Sequence, residues 1–349
     1  MKAKRLIAVI ITMAMAIALF AGCGGTETTT TAAPATTTTA ADGEETTTAA
    51  PEETTTADDG EKLYIPVISK GFQHKFWQAV KQGAEKAAVE FNVDITFDGP
   101  PSEKDVDIQV QMLDTAMNNN PAALCLAALD TQAVLPALEK AKELGIPVIG
   151  FDSGVDSDII VGTAATDNKA AAAEAGHQLA KLIGEEGKVF VLVHDQTSLT
   201  GIHRRDGFLE AMTEYPNIEV LETQYGDGDH AKSTDLAKAV LSANPDVKGI
   251  FGANEGSIAG CINAVVEMDL KGKVQLVGFD SGKILLDAIK DGTVAGAVSQ
   301  DPYAIGYEAV KSAVMAINGE EVPEMIDTGF RWYTADDLED PELQVILYE

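Results

Sequence analysis

Short apolar runs rich in Val and Ile alternate with segments of helical period from Leu63 to about residue 300. The first unit has a strand-like stretch at 63–68, a helix expected from about Phe76 to Phe91, and a strand-like stretch at 93–97. Further strand candidates follow at 122–128, 147–151, 188–193, 247–252, 274–279 and 294–299. This alternation predicts an α/β fold in which parallel sheets are covered by helices on both faces.

Two of these strands read almost alike, and each ends in an aspartate. Residues 147–154 (PVIGFDSG) match residues 275–282 (QLVGFDSG), which places Asp152 and Asp280 at equivalent points in separate halves of the chain. Ligands bind at the carboxyl ends of strands in open parallel sheets. The pair therefore predicts two doubly wound lobes that face a shared cleft. Capping of the loops after the strands is the ordinary alternative role for these residues.

The first 22 residues have the pattern of a secretory signal peptide. Three basic residues within the first five precede an unbroken run of apolar and small residues from 6 to 22. The run is shorter than the roughly 20 residues of a membrane span and ends in small residues, which favours cleavage over an uncleaved helix. Residues 19–23 (LFAGC) resemble a bacterial lipobox, with Phe20 in place of its usual Leu. The resemblance implies that Cys23 is lipidated and anchors the protein to the outer face of the bacterial cell membrane.

Residues 23–61 are predicted to form a disordered stalk behind this anchor. From Thr26 to Gly60 nearly every residue is Thr, Ala, Pro, Asp or Glu, with no Lys, Arg or aromatic residue. Such a segment cannot bury enough apolar surface to offset its ordering entropy. The globular part is therefore expected within 62–349.

Charge and cysteine content exclude several classes of function. The formal net charge of −30 argues against binding of nucleic acid or of an anionic membrane face through a basic patch. Cys125 and Cys261 each lie in an apolar stretch, which predicts two buried thiols in place of a disulfide or a metal site. We expect no metal and no cofactor.

Enzyme motifs are also scarce. The chain has no GxSxG elbow, no Walker P-loop and no GxGxxG after a strand, and the GDGD run at 226–229 is too short for a Ca²⁺ loop. A binding protein is predicted, and a glycoside hydrolase that uses Asp152 and Asp280 is the enzyme alternative. The remaining histidines form no ligand cluster and are expected to be solvated or packed: His177, His194, His203 and His230.

Seven blocks, in a characteristic order and spacing, carry a family resemblance. They are 68–77 (ISKGFQHKFW), 145–152 (GIPVIGFD), 165–168 (ATDN), 203–208 (HRRDGF), 251–255 (FGANE), 276–280 (LVGFD) and 298–301 (VSQD). From about Lys62 onward the chain is similar to the type I periplasmic-binding-protein family, in its ribose-, galactose- and xylose-binding branch. The resemblance implies two lobes joined by a hinge of several strands, with a first lobe at about 62–165 and 301–330 and a second at about 166–300 and 331–349.

The resemblance also implies which residues bind the ligand. Phe76 and Trp77 take the place of paired aromatics that sandwich a sugar ring, and His74 stands where the ribose type has Asn. The polar contacts of the family fall on Asp152, Arg204, Asn254, Asp280 and Gln300, with Thr166 at a lobe-junction position. These residue types suit a sugar, whose apolar faces pack on aromatic rings and whose hydroxyls need carboxylate acceptors and Arg, Asn or Gln donors.

Three positions leave alternatives open. Asn254 is also a candidate N-cap for a helix expected at 255–268. His74 departs from the Asn of the ribose type, and Ala127 occupies a position that is polar there. Ribose is therefore one candidate ligand among several.

The implied function is that of a monomeric lipoprotein that captures a pentose or hexose by lobe closure and passes it to the permease of an ABC importer. A nucleoside, a polyol or a signalling furanose that feeds a membrane sensor is the alternative. Regulators of the LacI type share these lobes, but no helix-turn-helix precedes Lys62. The export signal and the acidic stalk disfavour that reading.

Overall fold

Two β-sheets organise residues 62–349, which are the residues described by the computed structural model. The predictions of a signal peptide, of lipidation at Cys23 and of a stalk fall on residues 1–61 and lie outside this part of the chain. The strands are β1 (Tyr64–Ile68), β2 (Asp94–Asp98), β3 (Leu124–Leu126), β4 (Val148–Phe151), β5 (Ile160–Ala165), β6 (Gly187–Val193), β7 (Ile218–Val220), β8 (Gln224–Tyr225), β9 (Val247–Gly252), β10 (Gln275–Phe279), β11 (Gly296–Gln300), β12 (Met325–Asp327) and β13 (Phe330–Tyr333).

Helices follow most of the strands, as the alternating pattern predicts. They are α1 (Phe76–Glu90), α2 (Val106–Met117), α3 (Leu135–Glu143), α4 (Asn168–Leu182), α5 (Leu199–Met212), α6 (His230–Ala243), α7 (Glu255–Glu267), α8 (Lys283–Lys290), α9 (Pro302–Ile317) and α10 (Pro341–Gln344), with a short 3₁₀ helix at Ala335–Asp337. Among the described residues, no helix is both long and apolar enough to cross a membrane.

The first sheet has six parallel strands in the order β12-β5-β4-β3-β1-β2. The second has the order β13-β11-β10-β9-β6-β7, with β8 paired to β6, and only β13 runs antiparallel to its neighbour. We call the part around the first sheet lobe 1 (62–165 and 302–327) and the part around the second lobe 2 (168–300 and 330–349). The predicted α/β class with two parallel-sheet lobes is confirmed.

Each sheet is covered on both faces, which explains the continuous apolar strands. In lobe 1, one core packs under α1 and α9 and the other under α2 and α3. In lobe 2, one core packs under α6, α7 and α8 and the other under α4 and α5. Strands buried on both faces carry Val, Ile, Leu and Phe without alternation. Cys125 and Cys261 are fully buried free thiols in these cores, as predicted.

Helices α1 and α9 touch through glycines. A Cβ at Gly83 would lie 1.9 Å from the carbonyl oxygen of Tyr303, and a Cβ at Gly306 would lie 1.9 Å from that of Val80. No side chain fits between backbones at this distance. The contact fixes the start of α1, where two of the predicted cleft residues lie.

The chain crosses between the lobes three times. It crosses after β5, between β11 and α9, and between β12 and β13. The third crossing lies at 328–329, slightly before the boundary expected at 330, because Phe330 already pairs with Gln300 in the second sheet. The first and third crossings lie side by side, since the Asp167 N–H donates to Asp327 Oδ1 (3.3 Å). The second crossing adjoins the third, because Gln300 pairs with Phe330.

Candidate ligand-binding cleft

The carboxyl ends of the parallel strands of both sheets meet at a cleft between the lobes. A small cavity lies in this cleft and is lined by both lobes. Lobe 1 contributes Lys70, His74, Phe76, Trp77, Glu103 and Asp152, and lobe 2 contributes His194, Arg204, Asn254, Glu255, Asp280 and Gln300. Eight of the nine ligand residues predicted from the sequence therefore line one cavity.

Thr166 is the predicted ligand residue that does not line it. Its hydroxyl donates to the carbonyl of Gly329 (3.2 Å) at the junction of the lobes. It borders a neighbouring groove, which shares only Asp152 with the cavity. The structure thus gives Thr166 a role in joining two chain crossings.

Asp280 is held by a network within lobe 2. Its Oδ1 accepts from Gln300 Nε2 (2.7 Å) and its Oδ2 accepts from the N–H of Glu255 (3.0 Å). The Arg204 guanidinium lies 3.7 Å from Oδ2. The carboxylate is only 4% exposed, so these partners replace water around its charge.

Arg204 is positioned by more than this ion pair. Its Nε donates to Asn168 Oδ1 (2.7 Å) and its Nη1 donates to the carbonyl of Ala253 (2.9 Å). The guanidinium carbon lies 3.8 Å from the centre of the Phe279 ring. A desolvated contact of a cation with an aromatic face stabilises by about 2 kcal/mol. Arg204 therefore enters the cavity as a rigid donor.

Asp152 has fewer partners than its counterpart. The nearest cation is Lys70, whose Nζ lies 3.6 Å from Oδ2 and donates to Thr200 Oγ1 across the cleft (2.9 Å). Burial raises the pKa of the Asp152 carboxyl, which Lys70 and Arg204 oppose and Glu103 reinforces. Asp152 is thus a buried acceptor with capacity for a further donor.

Phe76 and Trp77 form the aromatic part of the lining. Their ring centres are 5.0 Å apart with an interplanar angle of 84°, so the rings pack edge to face. They form two walls of a corner, and they are not two parallel faces that could sandwich a ring between them. The Trp77 indole N–H donates to Glu103 Oε1 (2.9 Å), which fixes the larger of the two rings.

Four cavity residues were not predicted from the sequence: Lys70, Glu103, His194 and Glu255. Lys70 and His194 follow strands β1 and β6 almost directly, so the strand-end rule that identified Asp152 could have found both. Burial alone would raise the pKa of Glu103, but the Lys70 ammonium and the hydrogen bond from Trp77 hold it below its usual range. The expectation for His194 was a packed or solvated role, and it is buried at the edge of the cavity.

Helix starts bring the polar groups of lobe 2 to the cavity. Asn254 caps α7, because its Oδ1 accepts from the N–H of Ser257 (2.8 Å). The cap leaves its Nδ2 group free to donate elsewhere, so capping and ligand contact are compatible. Glu255 is the next residue, and burial raises the pKa of its carboxyl to about 7.

Unpaired polar atoms gather in this cavity. Nine buried side-chain atoms of the described residues have no hydrogen-bond partner, and five of them belong to residues that line it. These five atoms are His74 Nδ1, Asp152 Oδ2, His194 Nδ1, Glu255 Oε2 and Gln300 Oε1. Buried polar groups without partners are destabilising, so such a concentration indicates a site built for a polar ligand. Within the described part of the chain, no group of three potential metal ligands occurs.

Known proteins share this arrangement of two α/β lobes around a polar cavity. The sequence profile described as "periplasmic binding protein domain" matches residues 65–321. The chain belongs to this family. This periplasmic binding protein is 29% identical to the D-allose-binding periplasmic protein of Escherichia coli (strain K12) over 266 residues, which cover 74% of this chain and 86% of that protein.

Solved structures show the same likeness. An ABC transporter solute-binding protein from Agrobacterium vitis, bound with alpha-D-tagatopyranose, is 33% identical with a TM-score of 0.80, and the match covers 82% of this chain and 100% of that one. A carbohydrate transporter solute-binding protein from Agrobacterium radiobacter, in complex with D-arabinose, is 32% identical with a TM-score of 0.79 over 82% and 99% of the two chains. Both of these similar proteins are solute-binding proteins.

Proposed function

We propose that this protein is an extracytoplasmic solute-binding protein that captures a monosaccharide, a pentose or a hexose, by closing its lobes around it. The observation that carries the proposal is the shared cavity, whose lining combines the aromatic rings of Phe76 and Trp77 with unpaired polar atoms from both lobes. Sugars need both kinds of surface. The similar proteins that bind allose, tagatose and arabinose support the choice of a sugar as ligand.

The cavity is small while the lobes contact each other. Its volume is about 20 Å³, which is room for about one water molecule. A sugar ring therefore binds only after the lobes part, and it leaves by the same movement.

Lobe closure provides the mechanism. Contacts already join the lobes across the cleft: Lys70 donates to Thr200 (2.9 Å), and the N–H of Thr131 donates to the carbonyl of Thr197 (3.1 Å). A ligand that touches Asp152 in lobe 1 and Asp280 in lobe 2 binds the closed form better than the open form. It therefore shifts the population towards closure.

A calorimetric titration with D-allose, D-ribose, D-arabinose, D-fucose and D-tagatose tests this function. We expect one-to-one binding of at least one sugar, compaction by small-angle scattering, and recovery of the sugar unchanged. Binding of nucleosides or polyols alone would favour a sensor-linked ligand. Release of nitrophenol from a nitrophenyl glycoside of the bound sugar would favour the hydrolase. Failure of every sugar to bind would refute the proposal.

We further propose that Cys23 carries a lipid, that residues 24–61 tether the lobes to the membrane, and that the closed monomer delivers its sugar to an ABC permease. The lipobox-like segment and the names of the similar transporter proteins support these steps. Cys23→Ala should release the protein from the membrane fraction and abolish labelling by a fatty-acid probe. Light scattering of the purified protein checks the monomer.

A further inference from the structure

The side chain of Gln73 lies beside His74 at the rim of the cavity, and its partners determine its orientation. Its Oε1 accepts from the backbone N–H of Glu103 (3.2 Å), and its Nε2 donates to the carbonyl of Gly228 (3.3 Å). A backbone N–H only donates and a carbonyl only accepts. The two contacts therefore establish which end of the amide is oxygen and which is nitrogen.

A third contact of the same amide constrains His74. Gln73 Nε2 lies 3.0 Å from His74 Nε2. Because an amide NH₂ group only donates, His74 Nε2 must be the ring nitrogen with the lone pair. A neutral imidazole with an accepting Nε2 carries its proton on Nδ1.

Nδ1 is the ring nitrogen of His74 that is left for a ligand. It is buried and has no hydrogen-bond partner in the protein. The residue is only 4% exposed and lines the cavity. The Glu103 carboxylate is not a partner of Nδ1. The His74 atom that lies near its Oε2, at 3.9 Å, is Nε2, the other ring nitrogen.

We propose that Gln73 is a positioning residue that holds His74 as the Nδ1–H tautomer, so that His74 donates a hydrogen bond to an oxygen of the ligand. The role towards the ligand rests on the proposed function. An Asn at this place offers both a donor and an acceptor, whereas this histidine offers a donor alone. The ligand must present a hydroxyl or a ring oxygen here, and an ammonium group at this point cannot accept the bond.

Closure of the lobes completes the arrangement. Gln73, His74 and Glu103 all belong to lobe 1, so the tautomer is set before the lobes meet. Gly228 belongs to lobe 2, and its carbonyl takes the second hydrogen of the Gln73 amide only when they are closed. The GDGD run at 226–229 thereby acquires a role as the partner of Gln73.

Replacement of Gln73 by Met releases the constraint. Without the amide donor, Nε2 can carry a proton and donate to the nearby Glu103 carboxylate. The Gln73→Met variant is therefore expected to populate the Nε2–H tautomer, in which Nδ1 carries no proton to donate. Gln111→Met, on the exposed face of α2 in the same lobe, is the matched control.

Nitrogen NMR of the imidazole rings tests the tautomer directly. The purified protein is labelled with ¹⁵N-histidine and recorded at pH 7.5, and His74→Asn assigns the signals of His74. We expect Nδ1–H with a pyridine-type Nε2 in the wild type and in Gln111→Met, and a change of tautomer in Gln73→Met. A wild-type Nε2–H tautomer or imidazolium would overturn the proposal, as would an unchanged spectrum in Gln73→Met.

Binding of D-allose, or of whichever tested sugar binds, gives the second readout. Loss of one correctly oriented neutral hydrogen bond corresponds to a dissociation constant about threefold to tenfold higher in Gln73→Met. Equal affinity in wild type and variant contradicts the role towards the ligand. Absence of sugar binding in the wild type refutes the proposed function instead, while the NMR result still decides the tautomer.

Discussion

Asp152 and Asp280 have the same backbone environment in the two lobes. Each follows the last residue of a strand, and both have positive φ, 53° and 79°. The N–H of Asp152 donates to Ala164 (2.9 Å) and that of Asp280 to Val298 (2.7 Å), in each case on the neighbouring strand. The left-handed conformation at these residues turns the chain away from the sheet and directs both carboxylates to the cleft.

Asp280→Asn is expected to weaken sugar binding by about tenfold or more. The variant removes the charge that faces Arg204 and disturbs the bond from Gln300, so it alters three cavity groups at once. Loss of such buried hydrogen bonds costs about 1–3 kcal/mol. Calorimetric titration checks the loss against Asp235→Asn, an exposed residue of α6 in the same lobe. Full affinity in Asp280→Asn would remove Asp280 from the site.

Gly228→Ala is expected to hinder closure. A Cβ there would lie 2.9 Å from Gln73 Nε2, 3.0 Å from Glu103 Oε2 and 3.2 Å from His74 Nε2, all in the opposite lobe. We expect weaker sugar binding and less compaction in small-angle scattering.

Gly272→Ala is the matched control for this variant. Gly272 has a similar φ of +75°, but a Cβ there meets nothing within 4 Å. In both variants the positive φ lowers the free energy of unfolding by about 1 kcal/mol. Only Gly228→Ala should lose affinity for the sugar. Equal binding by the two variants would rule out the proposed clash between the lobes.

Sugar affinity should depend on pH through Glu255. Burial raises the pKa of this carboxyl from an ordinary 4.5 to about 7 in the closed form, and the nearby Asp280 carboxylate adds to the shift. Closure therefore takes up a proton. It is favoured at low pH, and this contribution is lost as pH rises from about 4.5 to about 7.

The Glu255→Gln variant isolates this effect, since the other titrating groups of the cavity are common to both proteins. The ratio of wild-type to variant affinity should fall by on the order of tenfold between pH 5.5 and 7.5. Titrations at four pH values across this window measure it. A ratio that stays constant, or that rises with pH, contradicts the burial of Glu255 on closure.

Trp77 should report binding by its fluorescence. The chain has two tryptophans, and only Trp77 lines the cavity, while Trp332 lies in β13. Trp332→Phe is expected to keep a sugar-dependent change in emission, and Trp77→Phe to lose it. The opposite result would place the ligand away from the aromatic corner.

Apolar runs predicted most of the strands, including β2 at the edge of the first sheet, but they missed β5 inside that sheet and the short strands β7, β8, β12 and β13. The strands buried on both faces, such as β6 and β9, were expected from Val- and Ile-rich runs. β12 and β13 were not expected, because they are short and partly exposed and their pairing is set by the lobe crossings. Local sequence contains little information about such pairs.

Some residues of the candidate site were predictable from the sequence, and others were not. Asp152 and Asp280 were predictable because each ends a buried strand, and the resemblance supplied the other positions. Glu103 was not predictable, since it lies in an irregular loop and reaches the cavity through its bond to Trp77. The edge-to-face packing of Phe76 and Trp77 also depends on tertiary contacts that residue types do not specify.

The three neighbouring chain crossings act together as a hinge with one bending axis. Bending about one axis moves every crossing in the same sense, whereas sliding or twisting of the lobes would strain the bonds that tie Thr166 to Gly329 and Asp167 to Asp327. Relative motion is thereby reduced to a single angular coordinate. Each time the lobes close, they return to the same relative position. A ligand that is too large prevents full closure, and the remaining angle between the lobes grows with its size. The angle between the lobes in the bound state therefore depends on the size of the ligand.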